Sequence, residues 1–144
     1  TIDNLHLSII VGPFFSHSKS LMKIISSNPN VSLHISPLKI WQIFSTADIA
    51  ICTGGNTLFE LACMGIPTLS IPSVEHEIKY TEKFNSQNFS LNLKLREKNL
   101  DLIKSSILQL ICDIKLQKKM SIHGQKIIDG KGLSRVTKEI LNLL

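Results

Sequence analysis

Hydrophobic and polar residues alternate along the chain in short blocks, and these blocks predict strands separated by helices. Five apolar, β-rich runs end in turn residues, and they predict strands over residues 5–11, 31–35, 49–52, 68–71 and 89–93. The uncharged run at 49–52 is typical of a strand buried on both faces, whereas the alternating run at 89–93 predicts a half-exposed strand. Because the short connections favour βαβ units, we expect an α/β fold with a Rossmann-like parallel sheet of about five strands and helices on both faces.

Helical periodicity is clearest after the third predicted strand and again near the end of the chain. One apolar stripe recurs at i, i+3, i+4 and i+7 and consists of Leu58, Leu61, Ala62 and Gly65. Gly65 also has the position expected of a helix C-terminus. Two further helices are predicted over residues 100–111 and 113–128. After a turn at 129–132, a terminal helix is predicted from Val136, Ile140 and Leu144.

A glycine turn separates the third predicted strand from its helix, and it is the first candidate for chemistry. The turn contains Gly54 and Gly55 and leads into Asn56 and Thr57. A helix that is entered through glycines directs unpaired N–H groups and the positive end of its dipole outward, where a phosphate is stabilised. Neither a P-loop nor a G-x-G-x-x-G pattern is present, and paired glycines are also common in ordinary loops.

Glu60 lies one helical turn after Asn56, on the same helical face. Because helical side chains lean toward the N-terminus, its carboxylate is expected near the phosphate-binding turn. A carboxylate there accepts hydrogen bonds from the two hydroxyls of a ribose. A glutamate in the first two turns of a helix is also favoured by the helix dipole alone.

The loops that follow the predicted strands are expected to lie at one edge of the sheet. Parallel sheets bind ligands beyond the carboxyl ends of their strands. The loops at Gly12, Ser36, Gly54 and Pro72 all follow strands, so we expect them to converge on one crevice.

Composition describes an ordinary globular chain with an uneven distribution of charge. The 144 residues, 43% of them hydrophobic, are enough for one domain, and the formal charge is +5. All of the surplus lies in residues 73–144, where Lys115, Lys118 and Lys119 form the densest basic group. This group fits a nucleic-acid or anionic-membrane surface, but a solvated helix face is favoured because aromatic residues for base stacking are absent nearby.

The cysteines, the length of the apolar runs and the first residue give further predictions. The three cysteines lack C-x-x-C spacing, and Cys52 and Cys63 lie in apolar context, which predicts buried, reduced thiols in a cytoplasmic protein. No apolar run approaches the length of about 20 residues that a membrane-spanning helix needs. The first residue is Thr rather than Met, so we expect a fragment of a longer protein. No spacing of His, Cys and Asp indicates a metal site.

Two motifs resemble a known family. Residues 47–68 read A-D-I-A-I-C-T-G-G-N-T-L-F-E-L-A-C-M-G-I-P-T and resemble the nucleotide-binding segment of GT-B fold enzymes. Residues 129–136 read D-G-K-G-L-S-R-V and are similar to a string near the end of the UDP-sugar hydrolases of pseudaminic acid biosynthesis and their spore-coat polysaccharide relatives. Together the motifs point to this branch rather than to the broader relative, the peptidoglycan N-acetylglucosaminyltransferase.

The resemblance implies that residues 1–144 are a single nucleotide-sugar-binding domain, the C-terminal half of a two-domain enzyme. Its UDP-binding residues would be Gly12, Ile35, Ser36, Gly54, Gly55, Asn56, Thr57 and Glu60. Among these, the glycine turn would hold the diphosphate, Glu60 the ribose, and the backbone at Ile35 and Ser36 the uracil. Gly12 would allow close approach on the opposite wall. No cofactor is implied, because the UDP-sugar is the substrate. No catalytic residue is assigned either, since the family's catalytic histidine lies in an N-terminal domain that this chain lacks.

One departure from the family falls after the fourth predicted strand. Where the family has an Asn-Gln pair, this chain has Glu75, His76 and Glu77. His76 and Glu77 are the expected sugar or phosphate contacts. Compared with the glutamine of the family, a carboxylate at position 77 lacks hydrogen-bond donors and adds negative charge. A different sugar and a loss of activity therefore both remain open.

Three functions therefore remain open from the sequence. The first is the UDP-sugar-binding half of a nucleotide-sugar hydrolase or glycosyltransferase in polysaccharide or sialic-acid-like sugar biosynthesis, inactive in isolation. The second is a non-catalytic binding subunit of a split glycosyltransferase. The third, less favoured, is a basic nucleic-acid-binding module. The first function predicts an N-terminal catalytic domain as the partner. It allows peripheral association with a membrane and predicts no binding to nucleic acid.

Overall fold

A computed structural model of the protein describes residues 5–143. Strands and helices alternate up to the fifth strand, and three helices follow it. The strands are β1 (Leu7–Val11), β2 (Val31–Ile35), β3 (Ala50–Cys52), β4 (Thr68–Ser70) and β5 (Ser90–Asn92). The helices are α1 (Ser18–Ile25), α2 (Ile40–Phe44), α3 (Asn56–Met64), α4 (Glu75–Ser86), α5 (Leu100–Cys112), α6 (Ile114–Ile127) and α7 (Gly132–Asn142).

The chain forms two compact units, Thr1–Ile43 and Phe44–Leu144. In the first unit, β1 and β2 pair in parallel and in register from Leu7 opposite Val31 to Val11 opposite Ile35. The pairing continues one step further, because the Ser36 N–H donates to the Val11 carbonyl at 2.9 Å. The loops after β1 and β2 therefore lie side by side at the carboxyl edge of this sheet.

The second unit contains a parallel sheet in the order β3-β4-β5. All three residues of the central strand β4 are buried. On one face of the sheet, Leu69 packs with Leu110 of α5 and Met120 of α6 to form the centre of the hydrophobic core. Ring contacts among Phe59, Phe84 and Phe89 join α3, α4 and the start of β5. Burial of these apolar side chains is the main stabilising contribution in this unit.

Helix α3 has the predicted packing stripe and the predicted end. Leu58, Leu61 and Ala62 are buried on the inside of the unit. Gly65 adopts the left-handed conformation with φ 71°, and its N–H donates to the Ala62 carbonyl. The cap ends the helix because a left-handed residue turns the chain away from the helix axis.

The predicted α/β fold with parallel strands is confirmed, and its five strands are divided between a two-stranded and a three-stranded sheet. The prediction that the third strand is buried on both faces is wrong. Ile51 is 48% exposed, because β3 is the edge strand of the sheet in residues 44–143. The half-exposed prediction is also wrong for the start of the last strand, where Phe89 and Ser90 are buried. Phe89 is covered by Phe84 and by the backbone of α6 at Gly124.

Helices α5 and α6 agree with the predicted boundaries to within one residue, and α7 begins at Gly132, the last residue of the predicted turn. The Asn99 side chain caps α5, and the Asp113 side chain caps α6 by accepting a hydrogen bond from the Leu116 N–H at 2.9 Å. The terminal helix α7 has none of residues 132–142 buried. Leu144, which the sequence places on the apolar stripe of this helix, lies outside the described residues. Among residues 5–143, no helix combines the length and the apolar character needed to cross a bilayer.

Candidate functional site

The glycine turn connects the end of β3 to the start of α3, as the sequence predicts. Gly55 is the N-cap residue, with extended backbone angles of φ −80° and ψ −164°. Because glycine has no side chain, the N-cap residue itself supplies no capping acceptor, and the first N–H groups of α3 have no partner within the helix. Asn56 is exposed and Thr57 is half-buried at this position. The turn therefore presents donors of the kind that bind an anion.

The two glycines of the turn have different surroundings. A Cβ atom at Gly54 would lie 2.6 Å from the Glu77 Cβ and 2.9 Å from the Glu77 carbonyl oxygen. Gly54 is thus required by the close approach of the α4 backbone. At Gly55 the nearest atoms to a Cβ would be the Glu77 Oε1 at 3.4 Å and the Thr53 Oγ1 at 3.8 Å, which are ordinary contact distances. Of the two glycines, Gly55 therefore has room for a Cβ and Gly54 does not.

Glu77 is buried against the glycine turn, with 6% of its surface exposed. Its Oε2 accepts hydrogen bonds from the Ser73 N–H at 2.7 Å and from the Ser73 hydroxyl at 3.0 Å. The Thr53 hydroxyl and the Gly54 N–H also help to lower the pKa of this carboxylate. The carboxylate expected to contact a sugar or phosphate is therefore hydrogen-bonded to Ser73 of its own chain.

Hydrogen bonding keeps this buried carboxylate ionised. Burial raises the pKa of Glu77, but the donors from Ser73, Thr53 and Gly54 together outweigh burial and lower the pKa below its ordinary value. The negative charge in turn affects Cys52 at the end of β3. Burial, and secondarily the charge of Glu77, raises the pKa of the Cys52 thiol to about 12, so this thiol stays protonated at neutral pH.

The other residues predicted for the same site are solvent-accessible. Glu60 is exposed on α3, one turn after Asn56, and His76 is exposed on α4 next to Glu77. In the second unit the structure thus brings together the glycine turn, the first turns of α3 and the start of α4. A cavity of about 300 Å³ in this unit lies elsewhere, near Asp48, Gly65 and Lys118, beside the amino ends of β3 and β4.

The remaining predicted nucleotide-binding residues lie together in the first unit. Gly12 follows β1 with no atom within 4 Å of the position of a Cβ, and Ile35 ends β2 with its side chain 48% exposed. Ser36 has a left-handed backbone with φ 47°, which a non-glycine residue adopts only at some cost. The loops of these residues are neighbours because β1 and β2 are parallel and in register.

Two residues outside the predicted set, Thr53 and Ser73, act on the Glu77 carboxylate. Ser73 donates two hydrogen bonds to it, and Thr53 helps to lower its pKa. For Ser73, a signal was present in the spacing, since a glutamate in the first turn of a helix often accepts from an N–H just before that helix. For Thr53 there was no such local signal, because its partner lies 24 residues further along the chain.

The second motif, at residues 129–136, forms a turn before α7. The Arg135 guanidinium donates two hydrogen bonds to the Asp129 carboxylate, at 2.7 and 3.0 Å. This pairing and the Lys131 N–H lower the pKa of Asp129 to about 2. Gly130 has φ 70°, and a Cβ there would lie 3.1 Å from the Cys63 sulfur, so the turn packs against the end of α3.

The fold of this chain is similar to that of two solved glycosyltransferases. A glycotransferase of kitacinnamycin superimposes with a TM-score of 0.67 at 11% identity, over 96% of this chain and 43% of that protein. The spinosyn forosaminyltransferase SpnP gives a TM-score of 0.63 at 19% identity, over 80% of this chain and 30% of that protein. The chain therefore has the Rossmann-like fold found in GT-B glycosyltransferases.

Similarity in sequence points to a particular relative. The spore coat polysaccharide biosynthesis protein SpsG of Bacillus subtilis (strain 168) is 26% identical over 143 residues, which is 99% of this chain and 42% of SpsG. No protein-family model matches the chain. The predicted resemblance to the GT-B and spore-coat polysaccharide proteins is confirmed at this coarse level. The narrower link to pseudaminic acid hydrolases stays a prediction.

Proposed function

We propose that this chain is the nucleotide-sugar-binding part of a sugar-biosynthesis enzyme of the glycosyltransferase type, and that its ligand is a UDP-sugar. The observation that carries the proposal is the uncapped start of α3 behind the glycine turn, placed at the carboxyl end of a strand in a fold shared with glycosyltransferases. The similarity to a polysaccharide biosynthesis protein over nearly the whole chain supports the same substrate class.

In this proposal the diphosphate binds to the N–H groups of Gly55, Asn56 and Thr57. Gly54 stays in the predicted set as the first glycine of the turn, and its N–H also contributes to the lowered pKa of Glu77. The exposed carboxylate of Glu60 accepts from the ribose hydroxyls. The exposed His76 reaches the sugar or the distal phosphate. The uracil contacts at the backbone of Ile35 and Ser36, with Gly12 beside them, stay a prediction for the first unit.

The chemistry on the sugar is assigned to a further domain. The chain spans 42% of the length of SpsG and 43% and 30% of the two solved glycosyltransferases. We propose that hydrolysis or transfer requires an N-terminal domain that supplies the catalytic base or the acceptor site, and that the 144-residue chain binds its ligand without turning it over.

A titration of the isotope-labelled chain with UDP tests the proposal. We expect weak binding, with a Kd between about 10 µM and a few mM, because only part of the binding cleft is present. The largest amide shifts should fall at Gly55, Asn56 and Thr57. Unchanged spectra at saturating UDP concentrations would contradict the proposed function.

A variant separates the ribose contact from the phosphate contact. Glu60→Ala should weaken UDP by about fivefold through loss of a charge-assisted hydrogen bond, while pyrophosphate binding stays within about twofold. The control is Glu82→Ala, which removes another exposed glutamate, on α4, and should change neither ligand. Equal losses of UDP and pyrophosphate in Glu60→Ala would contradict the ribose assignment.

A further inference from the structure

The Glu77 carboxylate places a fixed negative charge at the predicted phosphate-binding turn. Its Oε1 lies 3.4 Å from the position that a Gly55 Cβ would occupy, and hydrogen bonds from the Ser73 N–H and hydroxyl to its Oε2 hold the carboxylate there. Because the side chain is buried and these bonds favour its ionised form, the charge can neither swing away into solvent nor be neutralised near neutral pH.

A fixed charge at this place acts differently on two kinds of diphosphate. In a nucleotide sugar, each phosphate carries one negative charge, because the distal phosphate is esterified by the sugar. In a free nucleoside diphosphate, the distal phosphate carries close to two charges above its second pKa of about 6. The N–H groups of Gly55, Asn56 and Thr57 attract both ligands, but Glu77 repels the additional charge of the free diphosphate.

We propose that Glu77 is a specificity-determining residue, which makes the glycine turn favour an esterified nucleoside diphosphate over the free nucleoside diphosphate. This inference rests on the proposed function, since it assumes that a nucleotide sugar binds at the turn. Glu77 also packs directly against Gly54 of the turn. An enzyme that removes the sugar would then release its nucleoside diphosphate more readily than it releases its substrate.

The size of the effect follows from one additional charge at a partly hydrated site. A repulsion across several ångströms, screened by the solvent at the mouth of the turn, corresponds to a selectivity of about three- to tenfold. Such a preference is too small to abolish the binding of either ligand, so both remain measurable on the same protein.

The test compares the wild-type chain with Glu77→Gln, which keeps the size of the side chain and one carbonyl oxygen for the donors. The Kd values of UDP and of UDP-N-acetylglucosamine are measured by calorimetry or amide shifts at about pH 8 and low salt. We expect the variant to bind UDP about fivefold more tightly relative to UDP-N-acetylglucosamine than the wild type does.

The ratio of the two Kd values is compared, rather than either Kd alone, because this ratio does not change when part of the variant is unfolded. Glu77→Gln weakens hydrogen bonds in the turn, but a smaller folded fraction lowers the apparent affinity of both ligands equally. Glu75→Gln is the matched control, because Glu75 is exposed in the same first turn of α4 and the substitution removes the same charge. Its Kd ratio should stay within about twofold of the wild type, since solvent screens an exposed charge.

The outcomes separate this inference from the proposed function. An unchanged Kd ratio in Glu77→Gln, or an equal change in Glu75→Gln, would overturn the role of Glu77 and leave nucleotide binding intact. If neither ligand bound the wild-type chain, the proposed function would fall first, and the inference would fall with it.

Discussion

At the scale of single residues, Gly54 and Gly55 both predict a turn from the sequence. The structure gives a different physical reason for glycine at each of the two positions. Gly54 lies against the backbone of α4, whereas a Cβ at Gly55 would meet the Glu77 carboxylate and the Thr53 hydroxyl at ordinary contact distances. The glycine pair was predictable as a turn because turn chemistry is local. The packing role of Gly54 was not predictable, because it depends on a helix that begins about twenty residues further along the chain.

Substitution of the two glycines by alanine should separate these roles. Gly54→Ala should lower the free energy of unfolding by about 1–3 kcal/mol, since the new methyl group overlaps the Glu77 backbone. Gly55→Ala should change it by less than about 1 kcal/mol, because its φ and its surroundings admit a methyl group. Urea denaturation followed by circular dichroism measures both values. Similar losses in the two variants would contradict the assigned contacts.

At the scale of elements, α3 was the most completely predicted part of the chain. Its packing stripe and its glycine C-cap follow from helical periodicity and from the conformational freedom of glycine, which are properties of the segment itself. The start of α4 shows the opposite case. Its boundaries could be predicted, but the burial of Glu77 depends on where α4 docks on the turn, and no local pattern encodes docking.

The left-handed cap of α3 gives a prediction for this element. Gly65→Ala should cost about 1–2 kcal/mol, because φ 71° is strained for any residue with a Cβ and the methyl group would meet the Ser121 hydroxyl. Gly132→Ala is the control, since nothing lies within 4 Å of its Cβ position and alanine favours the first turn of α7. Thermal unfolding of both variants gives the comparison, and a smaller loss at position 65 than at position 132 would contradict it.

At the scale of the whole molecule, the parallel α/β class was predictable and the division of the strands was not. Alternating strand and helix blocks fix the parallel direction, because short crossovers admit no other arrangement. The same blocks do not specify which strands form hydrogen-bonded pairs. For that reason the two-stranded and three-stranded sheets, and the exposed edge at Ile51, became visible only in the structure.

The two units should differ in local stability. Between residues 5 and 43 no side chain is buried, whereas β4 is buried completely in the second unit. Amide hydrogens of β4 should therefore exchange at least about tenfold more slowly than those of β1 and β2. Native-state hydrogen exchange measured by NMR tests this order. Equal or slower exchange in β1 and β2 would contradict it.

The tight packing of Gly54 on Glu77 also has a mechanical consequence. The glycine turn and the start of α4 are in direct contact, because not even a methyl group fits between Gly54 and Glu77. We therefore expect a molecule that pushes the turn toward α4 to displace the start of α4 as well. Because Phe84 of the same helix packs on Phe89, such a displacement would be felt in the interior of the second unit.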